Sequence, residues 1–162
     1  PSRILIMIAS PAGEKWGKRV RYWQNALWLG DWDFITVLVD EKVTTDEGDV
    51  SAEVSAAPKY KEAVVTGYYP SLTALSDKKL DAVACHEVCH VLLSPINKLV
   101  DRLIANLPAN ARPHVGEEWS SIKERVVTDL QQVVFYADHD LRKSRRERRK
   151  LREQGKKVEV PK

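Results

Sequence analysis

Lys78-Lys79-Leu80-Asp81-Ala82-Val83-Ala84-Cys85-His86-Glu87-Val88-Cys89-His90-Val91-Leu92-Leu93 is the stretch on which the fold turns. Ser76-Asp77 ahead of it supplies an N-cap and an acid for the first turn, so the segment opens as a helix. Leu80, Val83, Ala84, Val88, Val91 and Leu92 set apolar side chains almost all round that helix, which predicts burial on several sides. Within it stands His86-Glu87-Val88-Cys89-His90. Positions four apart share one helix face, so the two imidazoles can bind one ion together, at the distances zinc prefers. Glu87 lies about 100° round the helix, outside that chelate but within reach of a water beside the ion, where it is a candidate base. A shuffle of this composition would give the pattern with a probability on the order of 1%. Two histidines and a glutamate left unpaired in an apolar helix would cost several kcal/mol, and a metal accounts for all three.

Outward from this helix the chain predicts an α+β domain. Ser94-Pro95 ends the helix and restarts another over residues 96–107, since proline suits the first helical turn. A loop with two prolines and a glycine follows, then a long helix at about 117–137 with Trp119, Ile122, Val126, Leu130, Val133 and Ala137 inward. Upstream, Trp16, Val20, Trp23 and Leu27 recur at spacings of 4, 3 and 4, one face of a helix over 14–29 with Gly30 as its C-terminal stop. Residues 33–40, 52–57 and 63–69 are rich in β-branched residues or alternate, and predict three strands. Turn residues at 44–49 and at Ala57-Pro58-Lys59 join them, so the expected sheet is a short, largely antiparallel meander. Residues 1–13 are set apart as an N-terminal arm.

Composition bounds the rest. The 162 residues are 43% apolar and 30% charged, enough for one core. The early apolar run at 4–9 is far shorter than a bilayer span and lacks the form of a complete signal peptide. Cys85 and Cys89, four apart on one helix, make no disulfide scaffold, and a reducing, cytoplasmic compartment is expected. They point about 100° away from the His86/His90 face and are expected to be small buried side chains. The net charge of +3 is uneven: residues 142–157 hold ten Lys or Arg against Glu147 and Glu153, a local +8, which leaves the remainder at −5.

A catalytic zinc needs a third protein ligand. The position six after His90, where a longer motif would place a third histidine, is Ile96. The last core helix offers Glu117, Glu118, Glu124 and Asp129, with His114 just ahead of it. Wheel geometry does not choose among them, and by angle Asp129 lies nearer the edge of the apolar stripe than Glu124.

The order of elements, the Gly-Asp-Trp-Asp turn, Tyr60 and Ala63 in the strand pair, Cys-His-Glu-Val-Cys-His-Val-Leu-Leu-Ser-Pro, and Glu124-Arg-Val-Val-Thr-Asp-Leu together resemble small phage-associated gluzincin-like zinc metallopeptidases of the minigluzincin type. The resemblance covers about residues 16–137 and implies a zincin-like minimal catalytic domain. It implies His86 and His90 as zinc ligands, Glu87 as general base, and Glu124 as third ligand, trailed by Val127 and Leu130. Glu117 and Glu118 fail that register, having Ser120 and Ser121 at plus three. Larger gluzincins place an aspartate four residues after the ligand glutamate. Here Thr128 holds that position and Asp129 follows it, and one of them is expected to orient a ligand histidine. An extended peptide or protein substrate would pair with an edge strand, for which 63–69 is the candidate. Tyr68, Tyr69 and His114 are candidates to stabilise an oxyanion.

Within the basic tail, 138–162, the stretch from Leu141 to Gln154 is helix-forming but nearly devoid of apolar residues, so it cannot be core and either extends the last helix into solvent or stays disordered. Residues 142–157 are either a solvated basic tail or a contact to nucleic acid through phosphates, without aromatic residues to stack on bases. Two functions are therefore carried forward. One is a zinc metallopeptidase, in the host cytoplasm if phage-encoded. The other is a nucleic-acid- or protein-binding module of a mobile element with a structural or vestigial zinc site.

Overall fold

A computed structural model describes residues 10–45 and 48–153. The chain runs α1 (Pro11–Ala26), β1 (Asp33–Val39), β2 (Val43–Thr45), β3 (Gly48–Val50), β4 (Ala52–Ala57), β5 (Glu62–Tyr68), α2 (Tyr69–Thr73), α3 (Asp77–Ala105) and α4 (Arg112–Glu153), an α+β fold. α1 starts inside the expected arm, because Ser10 accepts the Gly13 amide at 3.0 Å and Pro11 needs no partner at the first turn. The remainder of that arm, 1–9, lies outside the described residues. α1 also ends earlier than expected, with Leu27 as C-cap. Trp28, 90% exposed, takes the left-handed conformation that was expected of Gly30.

The main sheet has the order β1-β5-β4, and β1 runs parallel to β5. This corrects the antiparallel meander. β2 and β3 instead pair with each other as a separate ribbon, and β1 does not pair with β4. Only β4 and β5, joined through a turn with Lys61 at φ 53, form the expected antiparallel pair. The strand expected at an edge, β5, is therefore central, which is why Ala63 and Val65 are fully buried. At Gly67 an added Cβ would lie 2.3 Å from Leu72 Cδ1 and 2.9 Å from Trp16 Nε1, so a larger residue would force these side chains to move.

α1 and α3 pack together and cover one face of this sheet, α1 over β1 and α3 across β4. Their contacts bury Trp16, Val20, Trp23, Leu80, Ala84, Cys85, Val88, Cys89 and Val91 in one core. The cysteines are thus the small buried side chains expected. α3 is one helix of 29 residues where two were expected, with Pro95 inside it. Proline removes the amide that would bond the Val91 carbonyl. The Ser94 hydroxyl takes its place, donating to Val91 O at 2.7 Å.

α4 returns along α3. Its buried side chains are Val127 and Phe135, with Leu130 and Val134 partly buried, whereas Val126 is 43% and Val133 69% exposed. The inward stripe is therefore turned by one residue from the one expected. Phe135 stacks on Trp23 at 5.8 Å between centroids. α4 continues unbroken through the expected tail as far as Glu153, and Asp138 and Arg142 belong to the body. Arg142 pairs with Asp138, is part-buried where the residues after it are exposed, and lies 3.9 Å over the Tyr22 ring. Its Nη1 is 3.5 Å from buried Asp81, which also accepts the Trp23 indole N–H at 3.0 Å and faces Arg19 at 3.6 Å. This cluster ties α1, α3 and α4 together.

Candidate metal centre

α3 delivers His86 and His90 from one face, and their Nε2 atoms stand 3.2 Å apart. α4 brings Glu124 across, with Oε2 3.6 Å from His86 Nε2 and 3.3 Å from His90 Nε2. One donor atom from each of the three lies within 4.8 Å of the others, so this group can hold a metal ion. Asp129, Glu117, Glu118 and His114 are exposed and take no part in it.

The orienting residue is neither Thr128 nor Asp129. Gln131, seven positions after Glu124 and so on nearly the same helix face, holds its Oε1 3.4 Å from His86 Nδ1. Its own amide donates to the Ala82 carbonyl at 3.0 Å, which fixes which end of Gln131 faces the histidine. An acceptor at Nδ1 places the ring proton there and leaves the Nε2 lone pair toward Glu124 and His90. Sequence reasoning missed Gln131, and the signal was a polar residue inside the Val127, Leu130, Val134 stripe.

Beside the three donors opens a cavity of about 440 Å³. β4 forms one wall from Ala52 to Ala56, and α3 and α4 form the other with Glu87, Ser94, Asn97, Lys98, Asp101 and Lys123. Glu87 is 7% exposed, and its carboxyl is pushed up to about 8 by burial first, then by the negative charges of Glu124 and Glu53. Without a bound cation it therefore keeps its proton at neutral pH. His90 is pulled down to about 4, chiefly by burial, and keeps its imidazole neutral for ligation. Lys123 Nζ lies 3.5 Å from Glu124 Oε1 and partly offsets its charge. Buried Tyr68 is pushed up to about 12 by burial, by a hydrogen bond to Glu53 and by the charges of Glu41 and Glu87. It spends its proton on Glu53, and none of Tyr68, Tyr69 or His114 lines the cavity.

No family model, curated protein or solved structure matches this chain.

Proposed function

We propose that this protein is a zinc-dependent metallopeptidase. The observation that carries the reading is the convergence of His86, His90 and Glu124 beside a cavity that also holds a nearly buried carboxyl, Glu87. Two imidazole nitrogens and one carboxylate oxygen are a donor set that suits zinc, and three protein ligands leave a fourth position open. A structural site closes all four with protein, so the open cavity favours catalysis over the alternative of a binding module with a structural zinc. Zinc bound there would supply Lewis acidity, lowering the pKa of a water to about 7 and polarising a carbonyl.

The residues of the chain do the remaining work. Gln131 and the rigid α3 hold the imidazoles in the ligating tautomer. A cation held by the three ligands would lower the Glu87 pKa, and Glu87 would then take a proton from water as that oxygen adds to the peptide carbonyl and give it to the amine as the C–N bond breaks. The edge of β4 that pairs with no other described strand, in place of the 63–69 strand expected from sequence, offers backbone groups to an extended peptide along the cavity wall. Its small side chains, Ala52, Ser55 and Ala56, leave room for that peptide.

Glu87→Gln tests the base. The variant is expected to keep zinc at the wild-type level and to lose about 10²- to 10⁴-fold in the rate of peptide hydrolysis, followed on a mixed peptide library by mass spectrometry. Full turnover in this variant would remove Glu87 from the mechanism.

A further inference from the structure

Among the described residues, those beyond Arg142 do not pack on the body. Every residue from 143 to 153 is exposed, yet the helix continues without a break from the segment buried at Phe135 and tethered at Arg142. Seven Lys or Arg stand in this projection against Glu147 and Glu153. At 100° per residue they occupy about 220° of the circumference, and Ser144, Glu147 and Leu151 share what is left.

Three physical features limit what such an element can bind. A membrane-surface helix needs a continuous apolar face, and here the projection offers only Leu151. Single-stranded nucleic acid is held by aromatic stacking, and this segment contains no aromatic residue. The major groove of A-form RNA is too narrow for side chains to enter. The major groove of B-DNA is about 12 Å wide and flanked by two phosphate rails, which matches a rod about 10–12 Å across with cations on most of its circumference. Arginine and lysine without Asn or Gln give phosphate contacts and little base readout.

We propose that residues 143–153 of α4 are a docking surface for duplex DNA that binds independently of sequence. The projection is about 16 Å long at 1.5 Å per residue, enough to follow four to five base pairs of groove. Arg142 is no part of this surface, because Tyr22, Asp138 and Asp81 hold it. That tether gives the projection a fixed direction from the body, and Glu124 stands earlier on the same helix.

The test is fluorescence anisotropy of the full-length chain with a labelled 30-base-pair duplex of arbitrary sequence, titrated from 50 to 200 mM salt. About five phosphate contacts give a slope of log K against log salt near −4.5, a loss of several hundred-fold across that range. Arg145→Gln, Arg146→Gln, Arg149→Gln and Lys150→Gln combined keep a good helix former at each site. This variant is expected to keep its far-ultraviolet circular dichroism, to weaken binding at least about 100-fold at 50 mM salt, and to flatten the slope to near −1. Unchanged affinity and slope in the quadruple variant would overturn the proposal. So would tighter binding to single-stranded DNA, to double-stranded RNA or to phosphatidylglycerol vesicles than to the duplex. His86→Ala is expected to bind DNA as wild type does, so this result stands or falls apart from the peptidase reading.

Discussion

Gln131 and Glu87 show what single side chains contribute at this site. Because Gln131 acts through His86, its loss is expected to weaken zinc binding about 10- to 100-fold in Gln131→Ala, measured by competition with a chelator, and Gln131→Glu is expected to restore much of it. A purely structural role would lower thermal stability without changing zinc affinity. For Glu87 the consequence is a pH dependence in chelator-treated protein. Its pKa of about 8 in the fold exceeds the ordinary 4.5, so its contribution is fully present below 4.5 and is lost as pH rises through 8. His90, depressed from 6.5 to about 4, acts oppositely, and its contribution is lost as pH falls from 6.5 toward 4. Between pH 6.5 and 8 Glu87 is the group of the two that titrates. Metal-free wild type is expected to lose about 1–2 kcal/mol over that interval in urea unfolding, and Glu87→Gln is expected to lose almost none. His86, Glu87 and His90 were legible in the sequence because one helix fixes their mutual geometry. Glu124 was legible through the resemblance and not through periodicity, since the doublets Val126-Val127 and Val133-Val134 support two apolar stripes one residue apart. Only packing on α3 selects Val127 and rotates Glu124 to the histidines.

Local signals placed the elements well, and long-range pairing decided what they could not. Ser94-Pro95 carries the sequence signature of a helix boundary, yet tertiary contact and the Ser94 hydroxyl carry α3 through it. Ser94→Ala is expected to cost about 1–2 kcal/mol in chemical denaturation by orphaning the Val91 carbonyl. Adding Pro95→Ala returns an amide to that carbonyl and is expected to recover most of the loss. The order β1-β5-β4 was illegible for a related reason: the residues of 44–49 signal a turn, but not which strands it joins. Gly67 on central β5 shows the cost of that arrangement. Gly67→Ala puts a methyl into the space of Leu72 and Trp16 and is expected to lower stability by about 1–3 kcal/mol, read as a lower melting temperature.

At the scale of the molecule, the sheet and α1 form a platform on which α3 is fixed, and α4 closes over it to complete the donor set. The Asp81 cluster holds the three helices at their junction, below the metal centre. Asp81→Ala would leave the Trp23 indole without its acceptor and take from Arg19 and Arg142 a carboxylate in a largely buried place, and is expected to cost about 3 kcal/mol in thermal unfolding. The sequence disclosed a mildly acidic body and a basic appendage, but not that one continuous helix belongs to both. The direct measurement of the central claim is the zinc content, by inductively coupled plasma mass spectrometry, of wild type, His86→Ala and Glu124→Ala after zinc loading under reducing conditions and desalting. One zinc ion per wild-type chain, with less than about a tenth of that in either variant, is expected. Wild type at the metal-free baseline, or full zinc retained by Glu124→Ala, would contradict it.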